Sequence, residues 1–73
     1  MNYYDYIEIN SEIRFGKPVI KGTRIAVSDI LSMLANDMSI TDILEDYPQL
    51  NPDDIKACLH FASANERIIA YAV

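Results

Sequence analysis

Four basic side chains lie close together near the start of the chain, at Arg14, Lys17, Lys21 and Arg24. By contrast, the stretch from Asp29 to Asp54 holds seven carboxylates and no Lys or Arg. Clustered cations bind phosphate groups electrostatically, so we predict an anionic partner such as DNA for this segment. The same charges also protect an exposed strand edge from aggregation, and Arg24 could pair with a carboxylate, so these structural interpretations stay open.

The size and composition of the chain predict a single domain, residues 1–73, that associates with a second subunit. A domain of this length is only marginally stable by itself. Its one cysteine excludes an internal disulfide, and one His with one Cys cannot make a structural zinc site, which takes four ligands. We therefore expect a homodimer, with no metal and no cofactor.

The chain offers no combination of residues typical of an enzyme. There is no Ser/His/Asp or Cys/His arrangement and no Gly-rich phosphate loop, so we expect neither catalysis nor a small-molecule substrate. The N-terminus has no secretory leader, and no apolar run is long enough to cross a bilayer. We expect a cytoplasmic protein that does not contact a membrane.

Residues 1–27 are predicted to form a β arm. Apolar and polar residues alternate around Glu8 and Arg14, and two short apolar runs flank Lys21-Gly22-Thr23, which predicts a hairpin turn with a positive φ at Gly22. We expect the arms of two copies to pair across a two-fold axis, because edge strands invite pairing. The residues assigned to this part of the partner interface are Ile7 and Ile9.

Residues 28–73 are predicted to form three helices. Ser28, Ser39 and Asn51 are the candidate N-terminal caps, and Pro52 is suited to the first position of the third helix. Two short helices followed by a longer one are typical of a helix-turn-helix domain. The predicted fold is therefore mainly α, a three-helix helix-turn-helix bundle with a short N-terminal β arm.

The third helix has a polar seam between two apolar stripes. The seam completes the predicted DNA-binding set with Lys56, His60, Ser63 and Arg67. One stripe is the predicted interface with another chain: Phe61, Ala64, Ile68 and Tyr71. Alternatively, this stripe packs against the chain's own β arm, and His60 is an ordinary solvated side chain. Two acids that begin the helix, Asp53 and Asp54, disfavour phosphate contact at that end.

Three motifs, in this order and spacing, give the chain a family resemblance. They are Gly16-Lys17-Pro18-Val19-Ile20-Lys21-Gly22-Thr23-Arg24-Ile25-x-Val27, Ile43-Leu44-x-x-Tyr47-Pro48-x-Leu50 and Asp54-Ile55-x-Ala57-Cys58-Leu59. On these motifs the chain resembles the domain-of-unknown-function 433 family (DUF433). The resemblance implies a bacterial source and a homeodomain-like helical domain with an N-terminal β arm.

The resemblance also implies a function. It indicates an antitoxin of a type II toxin–antitoxin pair, which binds a toxin with a PIN-like nuclease fold and often its own operator DNA. A protein-interaction module that never contacts DNA is the alternative, and the acidic body favours it. The chain has Asp37 where the family usually has Gly, at a helix end where a left-handed backbone is expected.

Overall fold

The computed structural model describes residues 1–65, which form two short strands and three α-helices. A 3₁₀ turn at Tyr3–Asp5 precedes strand β1, and a second one at Arg14–Gly16 precedes strand β2. The regular elements are β1 (Ile7–Glu8), β2 (Val19–Ile20), α1 (Val27–Ala35), α2 (Ile40–Asp46) and α3 (Pro52–Ala64). The predicted mainly α fold with an N-terminal β arm is confirmed. Among these 65 residues, no helix reaches the length and hydrophobicity of a bilayer crossing.

The two strands pair with each other. The hairpin predicted around Gly22 is present as a single β bridge. β1 lies antiparallel to β2, with Ile7 opposite Ile20, while Val19 on its other side makes a single bridge to Ala26. Gly22 turns the chain with a φ of 75°, as predicted. Because β2 has neighbours on both sides, its edges are not open to a second copy in the way the sequence suggested.

The helices begin at hydrogen-bonded caps. In α2 the Ser39 hydroxyl accepts the N–H of Asp42, whose carboxylate accepts the N–H of Ser39, and Asn51 and Asp54 do the same for α3. The prediction for α1 is wrong, because Ala26 and not Ser28 is its cap residue. Asp29 provides the hydrogen bond at this end of the helix, because its carboxylate accepts the Ala26 N–H at 2.9 Å.

The connection between α1 and α2 contains Asp37 at a φ of 66°. This left-handed backbone is the geometry expected at this helix end. A short polar side chain is among the few that adopt it readily, so Asp37 allows the tight turn that brings α2 against α1.

The core is built on one face of α3. Ile55, Cys58 and Phe61 are fully buried there, and α1, α2, β1 and the Tyr3–Asp5 turn all pack against this helix. The ring of Tyr3 meets that of Phe61 edge to face, with 5.4 Å between the ring centres. The side-chain amide of Asn65 donates to the Tyr3 hydroxyl at 3.3 Å, which holds the N-terminus on the end of α3.

Two residues assigned to the partner interface are therefore core residues. Ile7 is 1% exposed and Phe61 is 0% exposed, both within their own chain. The alternative interpretation of Phe61, packing against the chain's own β arm, is the correct one. The error arose because the inward face of α3 is wide, and its two flanks appear in the sequence as separate stripes.

We predict that Phe61→Ala lowers the free energy of unfolding by about 3–5 kcal/mol, because it opens a cavity where four elements meet. Leu59→Ala, two positions earlier on the exposed side of α3, is the control and should change stability by about 0.5 kcal/mol or less. Urea denaturation followed by circular dichroism measures both. Equal effects of the two substitutions would contradict the position of Phe61 in the core.

Candidate binding surfaces

Arg14 points back onto its own chain. Its guanidinium Nη1 lies 2.9 Å from Asp29 Oδ2 and donates to the backbone carbonyl of Arg24 at 2.8 Å. These contacts tie the loop after β1 to the start of α1. Of the four predicted cations, Arg14 therefore has a role within the fold, whereas Lys21 and Arg24 are exposed and Lys17 is half-buried.

Asp29 is the acceptor on which this arrangement converges. Burial alone would raise the pKa of its carboxyl group, but the Ala26 N–H and the Arg14 guanidinium, with the nearby charge of Lys17, favour the ionised form more strongly. The net result is a pKa below the ordinary value of 3.8. Asp29 is therefore ionised at neutral pH, and it both caps α1 and holds Arg14.

The turn that carries Arg14 presents an exposed aromatic ring. Arg14, Phe15 and Gly16 follow one another in the left-handed region, with φ values of 51°, 60° and 82°. The Phe15 side chain is fully exposed. The sequence suggested a strand here and missed this turn. Two signals were available: Gly16 beside the ring, and four aromatics within the first fifteen residues, more than a small core needs.

The outer face of α3 brings part of the predicted seam together. Lys56, His60 and Ser63 are exposed, and they line a shallow groove with Met1 and Leu59. The fourth seam residue, Arg67, lies outside the described residues. The face is mixed in character, because Leu59 adds an apolar side chain and Asp53 adds an exposed carboxylate at the start of the helix.

A second groove lies beside the start of α1. Its apolar walls are Ile25, Met33, Met38 and Tyr47, each partly buried, and four polar residues complete its lining: Arg24, Asp29, Ser32 and Asn36. Arg24 therefore belongs to a different groove from Lys56 and His60. The predicted DNA-binding residues that line these two grooves are thus divided between them.

The remaining predicted interface residues have different surroundings. Ile9 is 55% exposed and Ala64 is exposed at the last turn of α3, so both are accessible to a partner. Ile68 and Tyr71 lie outside the described residues.

The described part of the chain contains no group of His, Cys, Asp or Glu residues that could hold a metal ion. The thiol of Cys58 is buried, and its desolvation together with the charge of Asp54 raises its pKa to about 12. A thiol with such a pKa stays protonated at neutral pH and is a poor nucleophile. Cys58 is a packing residue of the core.

Comparison with known proteins agrees with the fold and the motifs. A family model described as "Protein of unknown function (DUF433)" matches residues 7–62. The chain belongs to the DUF433 family. A crystal structure of a DUF433 member from Anabaena variabilis ATCC 29413 superposes with a TM-score of 0.87 and is 25% identical in sequence. The superposition covers 97% of this chain and 74% of that one.

A curated relative is considerably longer. The uncharacterised protein y4eO of Sinorhizobium fredii (strain NBRC 101917 / NGR234) is 31% identical over 61 residues. The match covers 84% of this chain but only 28% of y4eO. A DUF433 segment therefore also occurs as a minor part of a larger protein.

We predict an energetic coupling between Arg14 and Asp29 that depends on pH. A double-mutant cycle with Arg14→Ala and Asp29→Asn should give about 0.5–1 kcal/mol near neutral pH, a modest value because both side chains are about one-third exposed. Since the pKa of Asp29 is lowered in the folded state, the coupling is present above pH 3.8 and lost as the pH falls through the lower folded-state value.

Urea denaturation at neutral and acidic pH measures this coupling. Arg24→Ala with Asp29→Asn is the control cycle and should show no comparable coupling, because Arg24 contributes only its backbone carbonyl to the contact. A coupling unchanged in acid would show that the ion pair is not its source.

Proposed function

We propose that this protein is an antitoxin of a bacterial type II toxin–antitoxin pair. It binds a PIN-like toxin through protein contacts and, as a homodimer, binds its own operator DNA in the cytoplasm. Its role is binding, without a catalytic step of its own. The observation that carries the proposal is the exposed row of Lys56, His60 and Ser63 on the outer side of α3, in a fold whose third helix is suited to reading a major groove.

The charge distribution supports the DNA-binding part. Lys17, Lys21 and Arg24 add cations at the arm, and Arg24 lines a different groove from the α3 row. A dimer doubles both sets and supplies several phosphate contacts despite the net charge of −5. Distant carboxylates oppose such contacts only weakly, because physiological salt screens charges beyond about 8–10 Å.

The end of α3 is the proposed contact with the toxin. Ala64 is exposed on the last turn of the helix, and the apolar pattern of the sequence continues to Ile68 and Tyr71. Phe61 takes no part in this contact, because it is fully buried in the core. The proposed toxin contact therefore begins at Ala64.

The second candidate function is an interaction module that does not contact DNA. One observation favours it: Arg14, the first of the four clustered cations, is tied to Asp29. In addition, Asp53 stands exposed where α3 would approach phosphates. The two candidates differ in their dependence on salt.

We predict that operator binding weakens steeply with salt. Two arms, each with Lys17, Lys21 and Arg24, give about six phosphate contacts, so log affinity should fall with log salt at a slope of about −5. Lys21→Gln, which removes one cation per arm, should make the slope shallower by about 2. Fluorescence anisotropy with DNA from the upstream region measures both. No binding at low salt, or a slope near zero, would favour the interaction module.

We predict that DNA binding and toxin binding can be separated by two charge insertions. Ser63→Asp places a carboxylate in the α3 row and should weaken operator binding at least about tenfold while preserving toxin capture. Ile68→Asp places the same charge in the apolar stripe and should do the reverse, because an unpaired charge is costly in an apolar contact.

Each variant serves as the control for the other. Operator binding is measured by anisotropy, and toxin capture by co-purification with the product of the neighbouring gene. If both variants keep both activities, neither surface is the one proposed.

A further inference from the structure

We propose that Phe15 of one copy docks into the groove beside α1 of a second copy, and that the second copy returns the same contact. The inference rests on the homodimer of the proposed function and gives it an interface. It differs from the strand pairing expected from the sequence, for which β2 offers no free edge because it already has a neighbour on each side.

The first argument is the conformation of Phe15. A bulky residue in the left-handed region is a backbone outlier, and such strain persists only where the surroundings impose it. Here the side chain contributes no packing to its own chain, because it is fully exposed. Two backbone hydrogen bonds close the turn around Phe15, from the Gly16 N–H to the Ile13 carbonyl at 3.1 Å and from the Lys17 N–H to the Arg14 carbonyl at 3.2 Å. The Arg14 guanidinium ties the same turn to Asp29 and to the Arg24 carbonyl. The fold thus holds an aromatic ring in water at a cost that a partner contact would offset.

The second argument is the neighbouring groove. Its walls are apolar, formed by Ile25, Met33, Met38 and Tyr47, and methionine side chains adapt readily to an inserted ring. The Arg14 guanidinium, one residue from Phe15, touches Arg24 and Asp29, and both of these line the groove. Phe15 and the groove therefore lie next to each other on the same chain. A two-fold interface needs this arrangement, because the same patch must supply both halves of the contact.

The size of the contact sets its expected strength. Each buried phenylalanine contributes about 150–250 Å², whereas a stable interface buries about 1,200–2,000 Å² in total. The two rings therefore act as anchors within a small interface, and the dimer should dissociate on dilution. As anchors they should dominate its affinity.

Analytical ultracentrifugation over a wide concentration range tests the proposal. The wild-type protein should dimerise reversibly, and Phe15→Ala should raise the dimer dissociation constant at least about 30-fold. Ser32→Trp, which fills the groove from an exposed position on α1, should have a similar effect. Leu59→Ala, an exposed apolar residue in the other groove, is the control and should leave the constant unchanged.

A mixing experiment distinguishes a lost contact from misfolding. Phe15→Ala keeps its groove and Ser32→Trp keeps its ring, so an equimolar mixture should form a heterodimer with one restored contact. Its affinity should lie between those of the wild type and the single variants. Thermal unfolding should show both variants folded.

Several outcomes would overturn the inference. They are a wild-type protein that stays monomeric at every concentration, a Phe15→Ala protein that dimerises like the wild type, and two variants that dissociate but do not complement each other. Operator binding and toxin capture are measured in parallel. If the wild type keeps both activities while Phe15→Ala leaves the dimer intact, the docking contact is wrong and the proposed function stands.

Discussion

The structure depends on the burial of one face of α3. Ile55, Cys58 and Phe61 on that face are fully buried, and four other elements pack against the helix. Because successive residues of a helix are rotated by about 100°, this burial also fixes which side chains point away. Lys56, His60 and Ser63 are exposed for this reason, together with Leu59. The core and the proposed DNA-reading face are thus two consequences of a single helix orientation.

A second constraint lies at the start of α1, where one carboxylate serves two purposes. Asp29 accepts the N–H of Ala26, which caps the helix, and it accepts the Arg14 guanidinium, which fixes the loop after β1. The two roles support each other, because an ionised carboxylate is also favourable at the positive end of a helix. The cationic segment is therefore partly anchored. Arg14 is its anchored residue, whereas Lys21 and Arg24 are exposed and Lys17 is half-buried.

The sequence predicted local features better than tertiary ones. The caps at Ser39 and Asn51 and the positive φ at Gly22 depend on a few adjacent residues, so their pattern is sufficient. The inward position of Phe61 depends on Tyr3, far away in the chain, and the conformation of Phe15 depends on a bond from Arg14 to Asp29. Such contacts leave no periodic signal. The family motifs were recognisable, but they do not show which of their cations are paired within the fold.

Backbone strain also affects how stable the isolated chain is without a partner. Arg14, Phe15 and Asp37 are non-glycine residues with positive φ, and strain of this kind costs of order 1–3 kcal/mol per residue, least for Asp. A domain of 73 residues has a total stability of roughly 4–11 kcal/mol at typical values per residue. The backbone strain is therefore a large fraction of the free energy of unfolding. At Asp37 the tight turn between α1 and α2 accounts for it, and at Arg14 the contacts with Asp29 and Arg24 do. The turn around Phe15 is closed by backbone hydrogen bonds, but its side chain is fully exposed. Burial of this ring against a partner would therefore add stability at a strained position.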